Sequence, residues 1–398
     1  MELKQRIQQL AATISSDVIS YRRHIHANPE LSFEEVNTSA YISQLLTSFG
    51  VKHETGIAGT GIVALIEGKN PTSKVIALRA DMDALAIEEK NEVPYKSINI
   101  GVMHACGHDV HTSSLLGTAK ILSQVTDQFE GTIKLIFQPG EEKFPGGASL
   151  MIKAGVLENP APHNIIGQHV MALIPAGKVG FREGMYMASA DEIYITVKGK
   201  GGHAAMPDKN VDPILIASHI IVALQQVISR NCDPRIPAVL SFGKIMGMGA
   251  TNIIPEEVYI EGTFRTLNEE WRAEAKQRIK KMVIGIAESM GATCDIDIKD
   301  GYPFLKNAPL LAKRMRAAAV DFLGEENVLD LDLWMAAEDF AYYSQKIDAC
   351  FYRLGIRNEA KGITSGVHTS TFDIDEAALQ TGTGLMAWLA LEELKTKQ

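Results

Sequence analysis

Residues 103–111 read MHACGHDVH, which places three of the chain's 11 histidines and one of its 4 cysteines in one short segment. Cys106 and His108 stand two apart in a glycine-containing turn ahead of a helical pattern. A thiolate and an imidazole there could point at one ion held at the helix's amino end, and that donor pair suits zinc or a similar borderline transition metal. Two other readings compete. Cys106 could be a nucleophile with His104 or His111 as its base, or the segment could be a capped helix start, with Asp109 or Thr112 as N-cap and the histidines merely exposed.

Glu141 and Glu142 bear on the choice. They follow an apolar run and a Pro-Gly turn, where adjacent carboxylates can point different ways, one toward a metal and its neighbour toward water as a general base. Taken alone, such a pair is usually a solvated loop. His169 ends the apolar run NIIGQHV, and His368 lies in SGVHTSTFDIDE just before the last helical pattern. A lone histidine is more often structural than a ligand. Jointly, however, Cys106, His108, Glu142, His169 and His368 at strand-end or loop positions match a two-metal site in type and number. A cysteine nucleophile would leave the glutamate pair and His368 without a role.

These residues need a scaffold that brings strand ends together. From about 60 to 170 the chain alternates β-rich runs (GIVALIEG, KVIALR, TIKLIF, NIIGQHV) with a helical pattern, TSSLLGTAKILSQV, which predicts an α/β sheet flanked by helices. Ligands in such sheets collect beyond the carboxyl ends of strands. ADMDAL after KVIAL and QPGEE after TIKLIF fall in those places. Residues 183–297 instead read β-α-β-β-α-β, the split βαβ order of a ferredoxin-like domain. The expected architecture is therefore two-domain α/β, with residues 1–182 and 298–398 forming one domain and 183–297 inserted into it.

At 398 residues the chain exceeds what one hydrophobic core usually supports. Its net charge of -9, without a Lys/Arg cluster, argues against nucleic acid as a partner. The N-terminus has charge-broken helical spacing rather than a signal peptide's apolar core, and no run of about 18 uninterrupted apolar residues suggests a membrane span. Cys106, Cys232, Cys294 and Cys350 form no CxxC pair, so a reducing, cytoplasmic setting is expected.

The motifs RRHIHANPELSFEE, RADMDAL, MHACGHDVHTSSLLG, FQPGEE, GGHAAMP, TNIIPEEVYIEGTFRT and GVHTSTFDIDE, in this order from about residue 20 to 380, resemble the aminoacylase/carboxypeptidase family of metallo-amidohydrolases. They look most like the branch of hippurate hydrolases, N-acetyl-diaminopimelate deacetylases and auxin-conjugate hydrolases. The resemblance implies a metallo-exopeptidase-like catalytic domain whose inserted domain is both lid and dimerisation surface. By it, Cys106, His108, Glu142, His169 and His368 are ligands of two divalent ions (zinc, manganese, cobalt or nickel), with Cys106 in the place of a bridging aspartate. Glu141 is the general base, and Asp83 orients a ligand imidazole. His203 reaches a partner subunit's site to stabilise the oxyanion, and Asn252 and Arg265 hold the substrate's carbonyl or carboxylate. The implied substrate is an N-acyl amino acid. The rivals are a dipeptidase or carboxypeptidase with the same metals, and a catalytically silent metal-binding protein. Two departures stand out: many relatives carry alanine at Gly140, expected to matter little, and Ser-Pro or Asn-Pro commonly follows the last histidine, which leaves that turn's geometry open.

Overall fold

The computed structural model describes residues 2–396. They form two compact units, one running to Gly184 and including Lys306–Asp332 and the chain from Asp339, the other comprising Met185–Leu305 and Leu333–Glu338.

The larger unit is built on an eight-stranded sheet with the order Lys52–Ile57, Gly61–Glu67, Thr132–Gln138, Val75–Asp81, Asn164–Pro175, Asp348–Arg357, Val179–Phe181, Val328–Asp330. Its four central strands are parallel. Val75–Asp81 and Thr132–Gln138 are buried at every residue, as expected of strands covered on both faces. That burial explains why their sequences are nearly continuous apolar runs rather than alternating ones. Helix His108–Leu122 is likewise buried almost throughout. It begins after Gly107, whose φ of 82° lies in the left-handed region and whose missing side chain leaves room for Val170. The parallel arrangement sends Asp81 and Gln138 to the same edge of the sheet, so the segments carrying Asp83 and Glu141 emerge side by side.

At the other end of this unit, Glu393 accepts from Lys74 (3.0 Å), Arg314 (2.8 and 2.9 Å) and Asn164 (2.8 Å). Burial alone would raise its pKa, but Arg314 and Lys74 outweigh that and hold it below the usual glutamate value. A depressed carboxylate pKa stabilises the fold above the unfolded-state pKa and stops doing so as pH falls through the folded one. Glu393→Gln is therefore expected to cost about 2 kcal/mol at pH 7. The difference from the parent protein should shrink below about pH 4, which urea denaturation at both pH values would measure.

The smaller unit has its own core and a four-stranded antiparallel sheet ordered Ala238–Met246, Glu257–Thr266, Asp191–Lys198, Thr293–Asp300. Along the chain its elements run strand, helix (Pro213–Gln226), strand, strand, helix (Glu269–Ser289), strand. Asp191–Lys198 alternates buried and half-buried residues, and its inward Ile193, Ile195 and Val197 share a core with Ile216, Ile220, Ile279 and Val283. Asp212 and Asn268 cap the two helices by accepting from N–H groups of the first turn. The expected boundary at 297 falls inside the last strand, where Ile298, Lys299 and Asp300 still pair with Ile193, Glu192 and Asp191. Residues 333–338 also join this unit rather than the larger one: the Ala188 N–H donates to the carbonyls of Trp334 and Ala336, and the Trp334 N–H to Tyr186.

Candidate metal centre

Five donors meet beyond the carboxyl ends of the central strands. Cys106 Sγ lies 3.5 Å from His169 Nε2 and 3.3 Å from His368 Nε2. His368 Nε2 in turn lies 3.1 Å from Glu142 Oε1. Of the groups whose donor atoms all lie within 4.8 Å of one another, two contain Cys106: Cys106, His108 and His169, and Cys106, Glu142 and His368. Cys106 belongs to both. A thiolate common to two clusters is what a bridging ligand requires.

The protonation pattern suits cations. His169 Nδ1 is 2.8 Å from the Val170 carbonyl, which can only accept, so Nδ1 carries the proton and Nε2 keeps its lone pair. His108 Nδ1 faces Asp83 Oδ1 at 3.1 Å, leaving Nε2 turned inward, buried and with no hydrogen-bond partner. An orphaned buried imidazole nitrogen costs stability unless something binds it, and imidazole, thiolate and carboxylate together match the donor set of a borderline divalent metal. Burial, then the nearby Glu142 carboxylate, pushes the Cys106 thiol up. Cys106 and Glu142 beside it raise His368 to about 10. Protons and cations thus compete for one set of lone pairs.

Asp83 holds the arrangement together. Burial would raise its pKa, but bonds from His108, Ser32 (2.6 Å) and the Glu142 N–H (3.0 Å) keep it low and ionised. One carboxylate thereby orients His108 and sets the backbone of Glu142. Glu141 Oε2 sits 4.0 Å from His108 Nε2, and its Oε1 accepts the Asp339 N–H at 3.3 Å. It forms a donor group of its own with His108 and Glu142, and belongs to neither of the two that share Cys106.

Two histidines of the opening segment resolve differently. His111 is buried, not exposed: its Nδ1 donates to Asp81 (2.6 Å) and its Nε2 accepts the Val170 N–H (2.8 Å), which joins helix His108–Leu122 to two strands and uses both ring nitrogens. His104 is buried with neither ring nitrogen bonded, and burial lowers its pKa to about 4. Asp109 is no N-cap either, since its carboxylate pairs with Arg22 at 2.7 Å. The cap position belongs to Gly107.

Several supporting groups went unsuspected in the sequence. Glu35, fully buried, accepts from the Gly140 N–H and the Thr60 hydroxyl (2.8 Å each), which fixes the turn before Glu141. Gly140 itself has φ 60°, and a methyl group there would run into the Phe33 ring. The alanine of many relatives would therefore not be neutral in this chain. Asp339 also binds Arg79 (2.7 Å) and Gln138, behind Glu141. His368 has φ 60°, and its N–H donates to the Ala105 carbonyl at 2.7 Å.

His203, Asn252 and Arg265 belong to the smaller unit. Exposed His203 pairs with Ile253 in a two-residue ladder, and the Ala204 N–H donates to the Asn252 carbonyl, so His203 and Asn252 are neighbours. Arg265, half-buried on Glu257–Thr266, donates to the Met335 carbonyl at 3.3 Å.

A sheet with sulfur, nitrogen and carboxylate donors at its strand ends defines a metallohydrolase type of centre. The chain belongs to peptidase family M20/M25/M40, whose family model it matches over residues 77–392. It is 43% identical over 299 residues to an N-acyl-L-amino acid amidohydrolase of Geobacillus stearothermophilus, covering 75% of this chain and 80% of that one. It is 38% identical over 395 residues to thermostable carboxypeptidase 2 of Saccharolobus solfataricus, covering 98% and 99%. Among solved structures, the YXEP protein of Bacillus subtilis, described as a dinuclear metal binding peptidase of the M20 family, superposes with a TM-score of 0.84 at 34% identity, covering 97% and 99%.

Proposed function

We propose that the protein is a metal-dependent amidohydrolase that cleaves N-acyl amino acids into a carboxylic acid and a free amino acid. Cys106, His108, Glu142, His169 and His368 would hold two divalent cations, Cys106 being the donor common to both groups. The observation that carries this reading is the Cys106 sulfur common to two donor clusters, beside a buried glutamate that belongs to neither. When bound, the cations supply Lewis acidity to the acyl carbonyl and lower the pKa of water. Glu141 takes a proton from the attacking water as the new C–O bond forms. It then delivers that proton to the amide nitrogen as the C–N bond breaks. His203 is assigned to oxyanion stabilisation, and Asn252 and Arg265 to the substrate's carbonyl or carboxylate.

The carboxypeptidase-named relative, covered almost end to end, supports a second reading in which the amide is a peptide bond. A panel of N-acetyl and N-benzoyl amino acids beside dipeptides and longer peptides separates the two. Higher kcat/KM on the N-acyl substrates is expected, and preference for peptides would transfer the assignment to the rival.

The protein acts as a homodimer joined through its smaller unit. Ala238–Met246 is an edge strand, with Ile245 51% exposed, and an unpaired edge is a template for a second chain. Helix Pro213–Gln226 and its extension to Asn231 reach a mean hydropathy of 1.3 while only 33% buried, with Val222 73% exposed. By length and composition this helix could also cross a membrane, but its inward face, Ile216, Ile220 and Leu224, belongs to the unit's core. The double variant Val222→Glu/Ile245→Lys is expected to sediment at the 43.4 kDa mass of one chain, the parent at twice that. Unpaired cysteines accord with a reducing, cytoplasmic setting.

A further inference from the structure

The RRHIH run of helix Ser15–Ala27 has no role in the chemistry above, yet it carries a buried cation, Arg22, paired with carboxylates of two segments that lead to the site. Arg22 is fully buried. Its Nε donates to Asp109 at 2.7 Å and its Nη2 to Asp373 at 3.1 Å, and its guanidinium lies 4.7 Å from the centre of the Tyr95 ring. Asp109 directly follows His108, and Asp373 lies five residues beyond His368. One rigid fork therefore spans the two segments that bring His108 and His368 to Cys106.

The neighbouring bonds follow the same plan. His26, one turn after Arg22, touches the same Asp109 oxygen at 2.8 Å and Glu89 at 3.2 Å. Glu89 accepts the Ser97 N–H, and Tyr95 donates to Asp373 at 2.9 Å. The chain around His368 forms no strand or α-helix of its own, and the His368 side chain is 52% exposed. Packing alone does not set its place. Buried ion pairs seldom add much net stability compared with apolar groups of the same volume, because desolvation offsets attraction, so their best-supported use is to fix geometry.

We propose that Arg22 is a positioning residue: by bridging Asp109 and Asp373 it holds the His368 segment against Cys106 and so completes the Cys106–Glu142–His368 group. This rests on the dinuclear reading above. The Lys90 N–H to Ser370 carbonyl bond (2.8 Å) and the Asn91 to Phe372 carbonyl bond (2.8 Å) also tether the segment. Loss of the bridge should therefore weaken the second metal site rather than abolish it.

The test is cobalt(II) titration of the metal-free full-length protein, followed through the thiolate charge-transfer and visible bands, for the parent, Asp373→Ala, Arg22→Lys and the double variant. Asp373 is 18% exposed, and its truncation leaves Arg22 paired with Asp109. The expected result is a first equivalent bound as in the parent and a second weakened about tenfold or more, the usual scale for a group that orients a ligand. The double variant should be no worse than the more affected single one, since both changes break one link. Parent-like binding of both equivalents by Asp373→Ala, or equal weakening of both, overturns the proposal. A parent protein that takes up fewer than two equivalents instead overturns the dinuclear reading, and this inference with it.

Discussion

Replacing Glu141 with glutamine is expected to lower kcat/KM on an N-acyl amino acid by about 10²–10⁴-fold, the range for losing a positioned general base, while metal content stays at the parent level. The two halves of this expectation come from different features of the site. Glutamine keeps the size of the side chain, and its amide oxygen can still accept the Asp339 N–H that now meets Oε1 at 3.3 Å. It cannot take a proton from water. The five proposed ligands are untouched, because Glu141 lies outside both clusters that share Cys106. Turnover and metal content measured on the same sample decide the matter. A variant that hydrolyses at a parent-like rate, or one that loses metal in proportion to activity, would remove Glu141 from the role of base.

Cys106→Ala should have the larger effect on metal binding. Its sulfur is the one atom common to both clusters, so its loss takes a donor from each, and both equivalents should be released on desalting, with activity falling to background. Cys106→Asp should recover much of the metal, because a carboxylate can bridge two cations as a thiolate does; in other branches an aspartate is expected in this place. The alanine variant should still fold. Cys106 is 7% exposed beside other polar donors, and truncation there leaves a small polar gap rather than an apolar cavity. Elemental analysis of both variants, with circular dichroism to confirm folding, tests the point. An alanine variant that keeps two equivalents would contradict the shared-ligand assignment.

What could be read from the sequence was whatever has a local signature. Cys106 and His108 share one turn, Glu141 and Glu142 follow an apolar strand and Pro-Gly, and Asp83 follows another such strand. Residue type and strand-end placement were enough to nominate Cys106, His108 and the glutamate pair, whereas Asp83 took its role from the resemblance. The β-α-β-β-α-β order of the smaller unit was legible for the same reason, since period-two alternation and capped helices are short-range features. The supporting contacts were not legible. Glu35 binds the Gly140 N–H across 105 residues and Asp339 meets Glu141 across 198, and only the strand order brings such partners together. Nor does the sequence announce that Gly140 packs against Phe33, which turns a substitution expected to be mild into a steric conflict. His111 could be read as a base for Cys106 or as merely exposed because its partners, Asp81 and Val170, lie on two other strands.

On the proposed reading, amide hydrolysis depends on two ions bound by the Cys106-centred donors. The most direct measurement is to strip the protein with a chelator and then titrate it with manganese, zinc, cobalt or nickel while following hydrolysis of an N-acetyl amino acid and counting bound metal. No turnover in the stripped protein, activity rising until two equivalents per chain are bound, and a plateau beyond that are the predicted results. Full hydrolysis by the stripped protein, or two bound equivalents with no cleavage of any N-acyl amino acid or peptide, would contradict it.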